Sequence, residues 1–347
     1  MATAEEFDAM ARAMALAVDP VNQRGPNPRV GCVLINASGD VVGEGSHRGA
    51  GSPHAEVAAL EIAGESARGA TAVVTLEPCR HTGRTGPCVE ALIEAGVRRV
   101  VFAQTDPNPE AAHGAVELAD AGVEVEGGVL ADYAAAINVE WAQAVTQQRP
   151  FVTLKVAATL DGRVAAADGS SQWITGPEAR HYVHQMRSEA DAVLVGTGTV
   201  LVDDPELTDR RPEANYQPRP VVLGHREVPA DSRLAQNPRT LRLRTHDISE
   251  ALSDLFDHGI RHILVEGGPT VATAFISCGY VDRLVWFVAP KLLGGGQAAV
   301  ADVGIGTIDA ALGWATRDVS RLGDDICLVL SPLPRAAESV PTTERGQ

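Results

Sequence analysis

The sequence predicts two α/β units in series, each a sheet covered by helices. Strand-like and helix-like segments alternate along the first half, the pattern of a layered α/β fold. The alternation restarts with a strand-like run directly after Arg149-Pro150. A length of 347 residues also favours two domains over one. The boundaries implied are 1–148 and 149–333, with a polar tail at 334–347 that is expected to be disordered.

An amphipathic segment with Phe7, Met10, Met14 and Val18 at helical spacing opens the chain. Strands are expected near 30–36, where Val30 to Ile35 is an apolar run, and near 41–45. A helix starts at 54, after Pro53, with Val57 and Leu60 among alanines. A strand near 71–76, a helix from 88, a strand near 98–104, a helix near 113–121 and a short strand near 123–126 follow. One last helix is expected over 130–147. In the second unit the strand-like runs fall at 151–156, 191–195, 219–223, 261–265 and 283–288, with helical segments between several of them. No internal repeat relates the halves.

His54-Ala-Glu56, Pro78-Cys79 and Cys88 carry the chemistry of the first unit. One imidazole and two thiolates make three zinc ligands and leave a fourth tetrahedral position open, as in catalytic zinc sites. Zinc lowers the pKa of a bound water to near 7. Glu56 lies two residues from the imidazole and is not needed as a ligand, so it is free to carry protons. Zinc deaminases combine these parts against an amino-bearing ring carbon. Their usual signature ends Pro-Cys-x-x-Cys, whereas eight residues, Arg80 to Pro87, separate the cysteines here. A loop extension accounts for this, because Pro87-Cys88 opens the apolar-periodic segment Val89, Leu92, Ile93, Val97. A thiol in the first turn of a helix has a lowered pKa, which favours the thiolate that a metal binds. Taken singly, each residue is as easily a helix cap or a buried cysteine. The ordered set, with Glu77 ahead of Pro78, is poorly explained that way.

Cys32, Cys278 and Cys327 sit among apolar neighbours, and five cysteines with two assigned to metal argue for a reducing compartment. No basic stretch precedes an apolar one at the N-terminus, so no signal peptide is expected. No run reaches the length of a membrane span. The net charge is −16, and the only lysines are Lys155 and Lys291. That disfavours nucleic acid, whose binding relies on neutralising phosphates. A cytoplasmic enzyme is expected, a homo-oligomer acting on a small molecule, with no nucleic-acid or membrane partner.

The second unit lacks Gly-x-Gly-x-x-Gly, so a Rossmann site has no support. It contains Gly196-Thr197-Gly198-Thr199 and Glu266-Gly267-Gly268-Pro269-Thr270 after strands, and Gly294-Gly295-Gly296. Glycines between a strand and a helix let backbone N–H groups approach phosphate oxygens. One such loop is most simply a turn; three in one unit point to a phosphate-bearing cofactor.

The runs NPRVGCVLI, GSPHAEVAAL, GATAVVTLEPCRHTGRTGPC and DPNP resemble the deaminase half of the bifunctional riboflavin-biosynthesis deaminase/reductases. LKVAATLDGRVA, SSQWIT, DAVLVGTGTVLVDDPELT, LVEGGPT and APKLLGGG resemble their reductase half, in the same order, so that the likeness spans residues 5 to 330. The resemblance implies a cytidine-deaminase-like three-layer domain followed by a dihydrofolate-reductase-like domain, with zinc and NADPH as cofactors. The implied reactions are hydrolytic deamination of 2,5-diamino-6-ribosylamino-4(3H)-pyrimidinone 5′-phosphate and then reduction of its ribosyl group to ribityl. It places His54, Cys79 and Cys88 on zinc and makes Glu56 the proton carrier. Asn27, His47, His81, Asp106 and Asn108 are implied around the pyrimidine and its ribose phosphate. Ser171, Arg187, Leu207, Arg210 and Glu266 are implied at the reductase substrate, the arginines suiting its phosphate. Ala157, Trp173, Thr199, Asp203 and the segment Gly268, Pro269, Thr270, Val271, Ala272, Thr273, Ala274 are implied at NADPH. Asp161 reads as a turn residue, and His181, His184, His258 and His262 as surface residues.

Three stretches depart from the family pattern. Thr85-Gly86-Pro87-Cys88 stands for Thr-Pro-Pro-Cys, Glu110-Ala111-Ala112-His113-Gly114 for a glycine-rich run, and Gly224-His225 where an Asp is expected. None removes a zinc ligand or Glu56. Two other readings remain open at the level of sequence. One is a single-function nucleoside or nucleobase deaminase with an inactive reductase-like domain; the other is a non-catalytic nucleotide-binding module. Glu56 speaks against the module, since a structural zinc needs no proton carrier.

Overall fold

The computed structural model describes residues 1–19, 22, 25–81 and 86–334, so the tail expected to be disordered falls almost wholly outside it. Helix α1 (Ala4–Ala17) begins with a reciprocal cap. Glu6 N donates to Thr3 Oγ1 at 3.3 Å, and Thr3 N donates to Glu6 Oε2 at 2.9 Å. Strands β1 (Gly31–Ile35) and β2 (Val41–Ser46), helix α2 (Ala55–Ala63), β3 (Thr71–Leu76), α3 (Cys88–Glu94) and β4 (Arg99–Gln104) follow. Helix α4 (Gly114–Asp120), β5 (Glu124–Gly127), α5 (Ala131–Ile137) and α6 (Val139–Gln147) complete the first half.

The five strands form one sheet in the order β2-β1-β3-β4-β5, antiparallel at the first two pairings and parallel thereafter. Alternate residues of β1 serve opposite faces. Cys32 and Leu34 pack with Ala55 and Ala59 of α2 and with Val89 and Leu92 of α3. Val33 and Ile35 pack with Met10 and Ala13 of α1 and Ala134 of α5. Helices on both faces make three layers and explain why β1 and β3 read as continuous apolar runs. The single helix expected over 130–147 is broken at Asn138. That side chain accepts from Arg29 N and donates to Arg29 O, both at 2.9 Å, in place of continuing the helix.

The second half runs β6 (Phe151–Thr159), β7 (Arg163–Ala165), α7 (Pro177–Glu189), β8 (Ala192–Gly196), α8 (Thr197–Asp203) and β9 (Arg219–Leu223). Helix α9 (Arg233–Gln236), β10 (Leu241–Leu243), α10 (Ile248–Asp257), β11 (His262–Val265), α11 (Pro269–Ser277) and β12 (Arg283–Ala289) follow. Strands β13 (Gln297–Ala298), β14 (Trp314–Leu322) and β15 (Asp325–Pro332) end the described fold. Eight of these strands form a sheet in the order β10-β9-β8-β11-β6-β12-β15-β14, parallel up to β12 and antiparallel beyond it. The hairpin β14–β15 is absent from the sequence expectations. β14 is an edge strand, and Arg317, Asp318, Ser320 and Arg321 dilute its apolar pattern.

His262 corrects the expectation of a surface histidine, because it is buried at the start of the internal strand β11. Its Nδ1 donates to Glu189 O at 3.0 Å, and its Nε2 lies 2.9 Å from Thr153 Oγ1. His184 is also largely covered and pairs with Thr208 O. The two sheets meet across α6. Asp282 accepts from Arg149 Nη1 and Nη2 at 2.7 Å and from Gln143 at 2.6 Å, and Glu140 pairs with Arg283 at 2.8 Å.

Candidate active sites

Backbone packing fixes the metal-ligating triad. Helix α2 lies close on β2, since a Cβ on Gly45 would come within 2.2 Å of Ala55 O. His54 is the N-cap residue of that helix. Cys79 follows the end of β3, and a Cβ on Gly114 would sit 1.9 Å from Pro78 O, so α4 presses directly on this loop. Cys88 is the first residue of α3, and Val89 N donates to Cys79 O at 3.2 Å. Glu77 is buried and structural: its carboxylate accepts from Asp106 N at 3.2 Å and Ala115 N at 3.0 Å, tying three loops together.

His54 Nδ1 lies 3.2 Å from Cys88 Sγ and 3.5 Å from Cys79 Sγ, and all three donor atoms fall within 4.8 Å of one another. Ligand atoms on a tetrahedral zinc stand roughly 3.5–3.8 Å apart, given the usual Zn–N and Zn–S lengths. The donor set therefore fits the ion in both chemistry and spacing. A hydrogen bond from Cys88, and a further one from His54, bring the Cys79 thiol down to about 4 against the effect of burial. Bonding to Cys79 raises the pKa of His54 in turn. Glu56, in the first turn of α2, is buried; burial and the charge of Cys79 push its pKa up to about 7.

Asn27, His47, His81, Asp106 and Asn108 line one cavity of about 270 Å³ with His54, Glu56 and Cys79. Asn27 Nδ2 donates to His47 Nε2 at 2.9 Å, and His47 Nδ1 donates to Pro53 O at 3.0 Å. Burial lowers the His47 pKa, in keeping with a neutral ring in this tautomer. Asp106 is raised to about 6, chiefly by burial, although Asn108 N donates to it at 2.8 Å. His81 Nδ1 is buried and has no partner among the described residues. The stretch that departs from the family at 110–114 forms a turn, with Ala111 N and Ala112 N donating to Asn108 O. Ala111 itself packs on Cys79 and Cys88. Thr82 to Thr85 lie outside the described residues.

The second site gathers around Glu266 at the end of β11. Arg187 of α7 donates from Nε to Oε1 at 2.6 Å and from Nη2 to Oε2 at 3.1 Å. Its Nη1 donates to Thr208 O at 2.9 Å. Lys155 Nζ of β6 stands 3.5 Å from Glu266 Oε2. Burial opposes ionisation of Glu266, but Arg187 and Lys155 outweigh it and hold the carboxyl at about 2. The bidentate face of Arg187 is thus engaged by Glu266. Lys155 went unnoticed in the sequence as a site residue, although a lysine within an apolar strand was a usable signal.

Arg210 is exposed, with Nη2 3.3 Å from His184 Nε2. Leu207 has a left-handed backbone (φ 58°) and a side chain buried in the core. Ser171 and Trp173 are exposed, and Arg180 lies over the Trp173 ring, 4.7 Å from its centroid.

The loops β8–α8 and β11–α11 are neighbours because β8 pairs with β11. A Cβ on Gly196 would come within 2.8 Å of Val271, so the end of β8 lies against the first turn of α11; Thr199 and Asp203 lie on α8, and Ala157 on β6. Val271 packs against the core, Ala272 is buried within it, and Thr273 Oγ1 accepts from Ala301 N. Ala274 is partly buried against the same core. The third glycine run does not join a strand to a helix. Asp161 accepts from Gly294 N at 2.7 Å and Leu293 N at 3.2 Å, which makes this loop a carboxylate-anchored turn. At the remaining departure, Gly224 takes φ 123°, and exposed His225 meets the His246 ring edge-on at 4.7 Å.

A buried glutamate beside a His-Cys-Cys set that could hold a metal, joined to a second, mainly parallel sheet with its own buried charged cluster, is the arrangement of a two-domain deaminase/reductase. Residues 4–104 match the family model for the cytidine and deoxycytidylate deaminase zinc-binding region, and residues 150–328 that for the RibD C-terminal domain. The riboflavin biosynthesis protein RibD of Mycobacterium tuberculosis H37Rv is 47% identical over 335 residues, covering 94% of this chain and 98% of that protein. RibD of Escherichia coli K12 is 40% identical, with 92% and 98% covered. The solved structure of Acinetobacter baumannii RibD, form 2, has a TM-score of 0.88 at 38% identity, covering 95% of this chain and 99% of that one. A Thermotoga maritima diaminohydroxyphosphoribosylaminopyrimidine deaminase/5-amino-6-(5-phosphoribosylamino)uracil reductase gives 0.84 at 33%, with 95% and 99% covered. The chain belongs to the RibD family of riboflavin biosynthesis proteins. It is an enzyme with a zinc-dependent deaminase domain and an NADPH-dependent reductase domain.

Proposed function

We propose that the first unit, residues 1–148, deaminates 2,5-diamino-6-ribosylamino-4(3H)-pyrimidinone 5′-phosphate. The second, 149–333, then reduces the ribosyl group to give 5-amino-6-ribitylamino-uracil 5′-phosphate. The observation that carries the deaminase reading is that Glu56 opens into the same cavity as His54, Cys79 and five polar pocket residues. Zinc, when bound to His54, Cys79 and Cys88, supplies a Lewis acid that makes water a nucleophile at neutral pH. Glu56 would receive one water proton as C2 is attacked and pass it to the ring nitrogen; it would then carry the second proton, from the new C2 hydroxyl, to the amino group as that leaves as ammonia. Neutral His47, whose two ring nitrogens are taken by Pro53 O and Asn27 Nδ2, orients the Asn27 amide at the pocket without adding a charge.

In the second site, NADPH supplies the hydride, and the Arg187–Glu266–Lys155 cluster, with a net charge of +1, orients an anionic substrate. Arg210 adds a second cation at the rim. Small-molecule chemistry, not nucleic acid, accords with the −16 charge. All five cysteines are free, which supports a reducing, cytoplasmic setting, and we assign a homo-oligomeric enzyme. No helix among the described residues is long and apolar enough to cross a membrane.

One coupled experiment tests the whole reading. Ammonia release and NADPH oxidation are followed from the diaminopyrimidine, with zinc determined on the same sample. Both signals are expected, with oxidation trailing deamination. Ammonia without NADPH oxidation would reject the reductase, and absence of both would reject the deaminase.

A further inference from the structure

We propose that Arg261, a residue of the second sheet, completes the deaminase pocket by anchoring the 5′-phosphate of its substrate. The inference rests on the deaminase reading above and adds to it a residue from the other domain. Arg261 precedes β11. Its backbone N–H donates to Asp191 Oδ2 at 2.8 Å, as does His262 N at 2.9 Å, and this fixes the start of the strand. From there the side chain lines the 270 Å³ cavity that holds His54, Glu56 and Cys79, beside Trp141 and Val145 of α6.

The charge of the lining points to an anionic ligand group. Arg261 is the only arginine or lysine among the described residues that line the cavity, whereas Glu56, Glu77 and Asp106 are acidic. A phosphate ester entering such a space needs a fixed cation, and guanidinium binds phosphate oxygens strongly. The bonding of Arg261 is also incomplete. Nη1 donates to Phe256 O at 2.7 Å and Ile260 O at 3.3 Å, and the guanidinium lies over the Phe256 ring at 3.8 Å. These contacts hold its plane, while Nε is buried without a partner among the described residues. Buried donors are rarely left unpaired, so the hydrogen bonding of this guanidinium is incomplete within the chain itself. Burial lowers the guanidinium pKa more than nearby Asp191 and Asp257 raise it. His81 Nδ1, orphaned in the same cavity, is a second group awaiting a polar partner.

The test compares full-length wild type with Arg261→Met and Arg261→Lys, on the phosphorylated pyrimidine and on its riboside lacking the phosphate. Losing a charge-assisted hydrogen bond should raise KM for the phosphorylated substrate by roughly tenfold to a hundredfold. We expect kcat and the riboside KM to stay near wild type and Arg261→Lys to recover part of the loss. Reductase turnover on the deaminated product should be unchanged, which shows that β11 is folded. Equal losses on both pyrimidines would make Arg261 a helix-end brace and overturn the proposal, as would no change in either. A wild type that releases no ammonia sinks the deaminase reading instead.

Discussion

Replacing Glu266 by Gln removes the one carboxylate that faces both Arg187 and Lys155, and the structure sets the size of the effect. The Glu266 pKa falls from 4.5 to about 2, and its side chain is only 6% exposed, so solvent screening is slight. A shift of that size corresponds to about 3 kcal/mol of native-state stability. Because the folded pKa is depressed, the contribution is fully present above the unfolded value and is lost as pH falls from about 4.5 toward 2. Gln at this position forfeits it at neutral pH and takes from buried Arg187 its directly bonded counter-charge, leaving only the more distant Asp209; breaking such a buried pair costs about 3–5 kcal/mol. The two figures describe one loss and do not add. For a domain of this size each kcal/mol moves Tm by about 2–4 °C, so the reductase transition should drop by roughly 6–12 °C. Scanning calorimetry of wild type and Glu266→Gln at pH 7 reads the gap directly. At pH 3 the wild-type contribution shrinks to roughly half, and the gap should narrow accordingly. Melting within 2 °C of wild type at pH 7, or a gap that ignores pH, would refute the electrostatic account.

Glu56→Gln should bind zinc normally yet release ammonia about 10²- to 10⁴-fold more slowly, the usual cost of a lost proton carrier. Near-normal turnover in the presence of full zinc would remove Glu56 from the mechanism. Gly114→Ala must push Pro78 O aside from 1.9 Å, so zinc content and deamination should fall together while NADPH oxidation on the deaminated product continues. Metal analysis of the purified variant checks this, and stoichiometric zinc would show that the loop yields without moving Cys79. A strong chelator should abolish ammonia release and spare reduction of the deaminated product. Loss of both activities would tie zinc to the stability of the whole chain.

The metal-ligating set was legible because each part is local. His54 and Cys88 follow prolines at helix starts, and Cys79 comes just after a fully buried strand. The strands of the first sheet were legible for a related reason: cover on both faces makes their apolar runs continuous. The features that escaped depend on which elements meet. β14 carries too many charges to be seen as a strand until β15 is beside it. His262 is buried because β6 and β8 flank its strand, which no local pattern records. The same limit applies to Arg187, where sequence suggested an open phosphate fork and tertiary packing puts Glu266 in it.

Helix α6 shows why the two activities are not simply strung together. Trp141 and Val145, four residues apart, turn one face to the deaminase cavity. Glu140 and Gln143 turn another to Arg283 and Asp282 at the start of β12. Asp282 also accepts from Arg149 and from Val152 N, so it fixes both the end of α6 and the start of β6. The wall of the first pocket is therefore positioned by the second sheet, and Arg261 enters through that same junction. The reductase cluster around Glu266 lies at the other end of β11 from Arg261 and draws on α7, β6 and β11. None of those three belongs to the first half. The join therefore borders the deaminase cavity, while the reductase cluster is assembled wholly from elements of the second half.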